Sequence, residues 1–130
     1  MIETYVQALS DAIATSPIVS VFNVTLDKRA PQAGLVRGDV SFIDDSRLYF
    51  RELVEPQTDA IHRRMYSYHY QDANTALIFR YDDTQHHPTL STFPHHKHDG
   101  DESNVISAQP PTLAKVLHEI ETLCPLTQAE

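Results

Sequence analysis

The 130-residue sequence is poor in cysteine, in long apolar runs and in positive charge. Its single cysteine, Cys124, excludes an internal disulfide and fits a reducing compartment. Residues 1–14 have no basic segment followed by an apolar one, so no signal peptide is expected. No apolar stretch approaches the ~20 residues that a transmembrane helix needs. We therefore expect a cytoplasmic protein that is not associated with a membrane.

Positive charge is scarce because 10 Lys and Arg stand against 18 Asp and Glu, giving a formal net charge of −8 with neutral histidines. Broad electrostatic affinity for nucleic acid depends on an excess of cations that displaces counterions, so the composition disfavours it. A local site is still open, because Arg63, Arg64, Arg80 and Lys97 lie in or near the histidine-bearing half. A basic partner on an acidic face is open as well.

The distribution of apolar residues predicts one α+β domain over residues 1–130. Helical spacing predicts a first helix over 2–15 and a second that begins at Pro110-Pro111. Between them we predict an antiparallel meander of five strands, with both helices on one face of the sheet and a frayed tail over 125–130. The predicted strands cover about 18–26, 34–43, 47–55, 65–72 and 75–82, with a turn over 27–34.

Two hairpins fix the expected faces of this sheet. A three-residue loop at Asp44–Ser46 predicts the pairs Phe42 with Leu48, Val40 with Phe50, and Asp39 with Arg51. A two-residue loop at Ala73-Asn74 predicts the pairs Tyr70 with Leu77, Tyr68 with Phe79, and Tyr66 with Tyr81. The tyrosines then face the core, which leaves a polar outer face of Ser67, His69, Ile78, Arg80 and Asp82.

Histidine is the residue that this chain has in excess. The segment His86–His98, HHPTLSTFPHHKH, contains five histidines and one lysine within a predicted loop from Asp83 to about Gln109. Loops beyond roughly 12–15 residues are usually functional or disordered. Histidine gives and takes protons near neutral pH, and its neutral form binds metals. The segment therefore indicates either a site of acid–base catalysis or a metal site.

Four segments form a recognisable set of motifs: Tyr66–Asp72 (YSYHYQD), Phe79–Asp82 (FRYD), His86–Pro88 (HHP) and Phe93–His98 (FPHHKH). In these motifs the sequence resembles the TumE-type toxins of bacterial toxin–antitoxin pairs. The resemblance covers roughly residues 35–120 and departs from the family pattern at Asp83-Thr84, where the family has an asparagine and a small residue. It implies a cytoplasmic toxin that is paired with a helix-turn-helix antitoxin. It brings no catalytic mechanism and does not fix the oligomeric state.

The residues themselves permit metal-independent cleavage of RNA. Attack of a 2′-hydroxyl on its own phosphate needs a base, an acid and a cation for the developing charge. If residues 94–98 are extended, His96 and His98 point to one side, while His95 and Lys97 point to the other. The candidate catalytic residues are His69, Arg80, Asp82, His87, His96, Lys97 and His98, and no cofactor is required.

Two alternatives stand beside this hypothesis. A transition metal such as zinc would suit the His86–His98 segment, with His69 or Asp82 as further ligands, and would make the protein a metal-dependent hydrolase. In the other alternative the histidines only organise a long loop, and the protein is a binding module that inhibits its target by contact. Neither His62 nor His118 is assigned a role, and the acidic run after His98 is expected to be a solvated surface.

Overall fold

The computed structural model describes residues 1–30 and 32–124. In this part of the chain it contains two helices and seven strands: α1 (Ile2–Ala14), β1 (Val19–Ala30), β2 (Ala33–Phe42), β3 (Arg47–Gln57), β4 (Ala60–Gln71), β5 (Leu77–Asp82), β6 (His96–Asp99), β7 (Val105–Ser107) and α2 (Leu113–Leu123). The predicted tail over 125–130, and Pro31 in the predicted turn, lie outside the described residues. No helix in the described residues is long and apolar enough to cross a membrane.

The strands form one antiparallel sheet whose spatial order follows the chain order from β1 to β7. The predicted α+β class, the antiparallel meander and the two flanking helices are confirmed. The predicted number of five strands is wrong, because β6 and β7 form where a loop was expected. These strands have four and three residues, which is too short for an alternating pattern to stand out. Their regular structure comes from pairing, of β6 with β5 and of β7 with β6.

Both helices cover one face of the sheet, and the core lies between the helices and this face. The tyrosines Tyr66, Tyr68 and Tyr70 are 5%, 0% and 1% exposed, so the predicted core face of the second hairpin is confirmed. Strand β2 alternates between buried and more exposed positions, as expected for a strand covered on one side. Helix α2 starts later than predicted, at Leu113, because Thr112 caps it by accepting the Lys115 N–H.

The register of both predicted hairpins is wrong by two residues. In the first, Val40 lies opposite Leu48 and Gly38 opposite Phe50, because the connection extends over residues 43–46 and closes with the Phe42 N–H on the Ser46 carbonyl at 3.0 Å. In the second, Tyr68 pairs with Tyr81 and Tyr70 with Phe79, because the Asp72 carboxylate accepts the N–H groups of Asn74 and Ala76 and enlarges the turn.

A shift of two residues keeps every side chain on its predicted face but changes its partner. Asp39 therefore lies opposite Tyr49 and not Arg51. Arg51 lies opposite Arg37 instead. This pair of like charges becomes important on the outer face of the sheet, the face that the helices do not cover.

Candidate functional site

Two parallel rows of polar side chains cross the outer face of the sheet. The registers place one residue from each strand in a row. The first row, from β1 to β6, is Thr25, Arg37, Arg51, Ser67, Asp82 and His96; the second is Asn23, Asp39, Tyr49, His69, Arg80 and His98. Because paired residues on adjacent strands share a face, the end of the two rows brings together groups that are 14 to 18 residues apart in sequence. The candidate site lies at this end.

Asp82 is the acidic centre of the site. Its Oδ1 lies 2.9 Å from Nε2 of His96 and accepts the backbone N–H and the hydroxyl of Thr84 at 3.0 and 2.9 Å. Its Oδ2 accepts Nε–H of Arg80 at 3.1 Å and lies 3.8 Å from Nε2 of His98. Burial alone would raise the pKa of this carboxyl, but the bonds from Thr84 and Arg80 and the nearby His96 lower it. Asp82 is therefore an ionised carboxylate facing two imidazoles.

Two of the imidazoles are held by backbone carbonyls. Nδ1 of His96 lies 2.9 Å from the Pro94 oxygen, and Nδ1 of His98 lies 2.9 Å from the Glu102 oxygen. A carbonyl only accepts, so each Nδ1 carries a proton, and Nε2 is the ring nitrogen that faces the site. Nε2 of His96 is close to Asp82 but not aligned for a hydrogen bond, and it has no other partner among the described residues.

His87 completes what we call the three-histidine cluster, His87, His96 and His98. Its ring centre lies 4.9 Å from that of His96 and 6.0 Å from that of His98, and the latter two are 5.0 Å apart. One nitrogen from each ring falls within 4.8 Å of the others. Desolvation and repulsion from the other two imidazoles lower the pKa of His87. All three rings therefore meet at one point, next to Asp82.

Arg80 is fixed beside the cluster by two carboxylates. Nη1 and Nη2 donate to both oxygens of Glu102 at 2.6 Å, in addition to the bond from Nε to Asp82. The hydrogen bond with Arg80 lowers the pKa of Glu102, while the bonds to both carboxylates raise the pKa of Arg80. The side chain of Glu102 is 62% exposed, so solvent reaches the ion pair between Arg80 and Glu102.

The cluster lies at the edge of a groove of about 980 Å³ on the outer face. The groove is lined by, among others, Arg37, Arg51, Arg80, Asp82, His87 and His98. A neighbouring cavity of about 400 Å³ is lined by Tyr49 and His69 and shares Arg37, Arg51 and Arg80 with the groove. The site is therefore open on the side where Arg37, Arg51 and Arg80 line the groove.

Five of the seven predicted site residues come together in the structure: Arg80, Asp82, His87, His96 and His98. His69 shares their face, but its Nε2 pairs with Gln71 at 3.1 Å, and it lies outside the cluster. Lys97 points to the helix side, where its Nζ lies 2.7 Å from Glu119. The alternation expected for an extended 94–98 segment is thereby confirmed over residues 96–98, whereas residues 94 and 95 precede β6.

The other histidines of the segment stay apart from the cluster. His95 stacks on Tyr66 and shares a hydrogen bond of 2.9 Å with its hydroxyl. His86 is exposed and touches the edge of His87, with ring centres 6.5 Å apart.

Sequence reasoning missed Thr84, Glu102 and the arginine pair of the outer face. The available signal for Thr84 was its position two residues after an aspartate at a strand end, where a hydroxyl and an N–H commonly bond back to the carboxylate. Glu102 carried no such signal, since its role depends on β6 bringing it next to Arg80. The predicted register paired Arg51 with Asp39, so the pairing of Arg51 with Arg37 was missed.

Comparison with known proteins gives one positive result. A family model described as Toxin TumE matches residues 9–124, which is most of the chain. No curated protein matches the sequence. No solved structure matches it either.

Proposed function

This chain belongs to the TumE toxin family, and on that basis we propose that it is a cytoplasmic toxin that hydrolyses RNA phosphodiesters at a metal ion bound by His87, His96 and His98. The observation that carries the proposal is the convergence of three ring nitrogens within 4.8 Å. Zinc in catalytic sites is commonly bound by three protein ligands and a water molecule. The donor set fits zinc or a similar transition metal.

The second support is the state of the histidines before any ion binds. Hydrogen bonds from Nδ1 to backbone carbonyls orient metal-binding histidines and leave Nε2 free, and His96 and His98 have this arrangement. His96 is 1% exposed, and its Nε2 lies 2.9 Å from Oδ1 of Asp82 without the alignment of a hydrogen bond. A metal ion bound to this nitrogen would have the Asp82 charge close by.

The fit requires a small closing movement. A tetrahedral ion with bonds of about 2.0–2.1 Å holds its ligand nitrogens roughly 3.4 Å apart, whereas the cluster spans up to 4.8 Å. His87 is the member able to make this adjustment, because it is only half-buried and lies in the connection between β5 and β6. Metal binding would thus tie this connection to the sheet.

An ion held by His87, His96 and His98 would supply a water molecule of lowered pKa for hydrolysis. The water oxygen would bond to phosphorus, the bond from phosphorus to one ribose oxygen would break, and the proton lost by water would end on that oxygen. Asp82, beside the three histidines, would accept the proton first, while Arg80 would stabilise the charge on the phosphoryl oxygens after exchanging Glu102 for substrate. The products are a linear phosphomonoester and a free hydroxyl.

Metal-independent cleavage by His96 and His98 fits this geometry less well. In-line attack places the nucleophile and the leaving oxygen on opposite sides of phosphorus, so its base and acid should flank the substrate. Here the two imidazoles converge, and His96 is too deeply buried to reach a separate oxygen. The two routes also differ in product, because attack by the 2′-hydroxyl leaves a 2′,3′-cyclic phosphate.

The adjacent pair His86 and His87 allows a matched test. Untagged wild-type protein, His87→Ala and His86→Ala are stripped with chelator, reloaded with zinc and measured by elemental mass spectrometry. We expect about one ion per chain in the wild type and in His86→Ala. In His87→Ala we expect affinity to fall by at least roughly 100-fold, since even outer-shell partners contribute 10–100-fold. Equal zinc binding in both variants would refute the metal site.

The same three proteins test the reaction. Each is incubated with end-labelled RNA, with and without chelator, and the new ends are identified. Linear phosphate ends that depend on zinc and on His87 support hydrolysis at the ion. Cyclic phosphate ends that persist in chelator would refute it and favour histidine acid–base catalysis. Growth arrest without any RNA cleavage would favour a binding module.

We also propose that a helix-turn-helix antitoxin pairs with this protein, as the family resemblance implies. Expression of the toxin alone should arrest growth, and coexpression of a small helix-turn-helix protein from the neighbouring gene should restore it. Restoration that occurs without a stable complex in a pull-down would contradict direct pairing.

A further inference from the structure

The outer face carries two arginines that the proposed hydrolytic chemistry does not use. Arg37 and Arg51 are exposed and lie directly opposite each other on β2 and β3. Like charges directly opposite on adjacent strands destabilise a sheet. Asp39, two residues along β2, is engaged by Arg47 at 2.8 and 2.9 Å, and within residues 1–30 and 32–124 no carboxylate forms an ion pair with Arg37 or Arg51. The charges on this pair are thus uncompensated.

The arginine pair lies in the same row as the site. This row continues from Arg51 through Ser67 to Asp82 and His96. With strands about 4.8 Å apart, the backbones at Arg51 and Arg37 are roughly 10 and 14 Å from that at Asp82. Both side chains line the groove that ends at the three-histidine cluster. Positive charge therefore leads along the groove to the proposed reaction centre.

The next row on the same face is apolar. Leu35 lies opposite Leu53, and Leu53 opposite Met65, which is 53% exposed. A free phosphate would use only the guanidinium groups, whereas a nucleotide strand presents a charged backbone beside flat apolar bases. Proteins that bind single strands combine a positive groove with side chains that contact the flat faces of the bases, usually aromatic ones. Here the positive row lies beside aliphatic side chains that offer an apolar surface to the bases.

We infer that Arg37 and Arg51 bind the phosphate backbone of a single-stranded RNA and direct it along the groove to the cluster. This inference rests on the proposed function for its choice of RNA, and it adds the path of the substrate. Because the whole chain carries a net charge of −8, RNA is repelled by the rest of the surface. Binding is then favoured on the face that carries the uncompensated Arg37 and Arg51.

The test measures binding separately from cleavage. A labelled single-stranded RNA of about 12 nucleotides, within the usual range of site sizes, is titrated with full-length protein in chelator, and fluorescence anisotropy is followed at several salt concentrations. We expect Arg37→Gln/Arg51→Gln to raise Kd at least tenfold. The slope of log K against log salt should fall in magnitude by about 1.4, since each phosphate contact on a single strand contributes about 0.7.

The control variant, Lys28→Gln/Lys115→Gln, removes the same two charges from the helix side. Lys28 contacts Glu3 of α1, and Lys115 is an exposed residue of α2. We expect its Kd and salt slope to match the wild type. An equal loss in both double variants, a Kd within twofold of the wild type in the arginine variant, or no binding of RNA by the wild type would overturn the inference.

The outcomes also separate this inference from the proposed function. Arginine-dependent binding without cleavage leaves the inference standing and refutes the hydrolase. Zinc-dependent cleavage with an unchanged KM in the arginine variant supports the hydrolase and refutes the path of the strand.

Discussion

A buried carboxylate joins α1 to the sheet. Glu52 is 1% exposed, and both Tyr5 and Tyr68 donate their hydroxyl hydrogens to it. Arg63 donates to the Tyr68 hydroxyl at 2.6 Å and lies 4.0 Å from the carboxylate. Burial, followed by the charge of Glu52, raises the pKa of both tyrosines. Each hydroxyl therefore stays protonated at all physiological pH values, and the hydrogen bonds that the two hydroxyls donate stabilise the buried carboxylate of Glu52.

Tyr5→Phe removes one of these donors without changing the shape of the core. Hydrogen bonds to charged groups contribute about 1.5–3 kcal/mol, so we expect a loss of that size in the free energy of unfolding, measured with urea. Tyr49→Phe is the matched control, because the Tyr49 hydroxyl has no hydrogen-bond partner among the described residues; a loss of similar size there would contradict the role of Glu52.

Lys97 was a catalytic candidate in the sequence, and its position now makes it a structural one. Its ammonium bonds Glu119 of α2 at 2.7 Å, and the Tyr81 hydroxyl donates to the same carboxylate at 2.6 Å. We expect Lys97→Met to lose roughly 1–3 kcal/mol of stability while zinc content and RNA cleavage stay at the wild-type level. Loss of cleavage at unchanged zinc content would restore a catalytic role.

At the scale of strands, Gly38 sets how β2 meets β3. The ring of Phe50 crosses directly over this glycine, so an added Cβ would lie 1.9 Å from Cε2 of the ring. A glycine within a strand often marks such a close approach, and a cross-strand aromatic ring covers it. The register therefore depends on a residue that has no side chain.

Gly38→Ala should force the Phe50 ring to move and cost about 1–3 kcal/mol, as overpacking does. Gly34→Ala is the control in the same strand, because its added Cβ would meet only the flexible end of Leu26 at 2.8 Å, with Ile2 at 3.5 Å. Comparing their midpoints of urea unfolding tests this difference. The prediction fails if the two variants are equally stable.

The hairpins also explain which features of the sheet the sequence could predict. Alternation along β3 and β4 identifies the buried face, because the period of a strand is two, and that assignment is correct for Tyr66, Tyr68 and Tyr70. Register is a different matter. It follows from the turns, where Asp44 and Asp72 capture backbone N–H groups and lengthen each connection. The hydrophobic pattern is unchanged by a shift of two, so it could not reveal the error.

At the scale of the whole molecule, the candidate site forms where the sheet is extended by its two shortest strands. The sequence could predict that His96 and His98 share a side, because alternation needs only an extended backbone. It could not place His87 or Glu102 beside them, since both positions depend on how β6 and β7 dock on β5. Assembly of the site therefore depends on strands near the edge of the sheet, whereas the hydrophobic core depends on its central strands.

This dependence makes a prediction for the whole molecule. Short strands at and next to the edge of a sheet open locally more often than central ones, and opening of β6 together with β7 would separate His96 and His98 from His87. Zinc at 100 times its Kd opposes such opening by about 2.7 kcal/mol. In hydrogen–deuterium exchange, zinc should therefore slow the amides of β6 up to about 100-fold and leave local exchange in β2 and β3 unchanged. His87→Ala should abolish the effect and His86→Ala should retain it. Uniform slowing across the sheet would mean that the ion stabilises the fold as a whole, and not this edge.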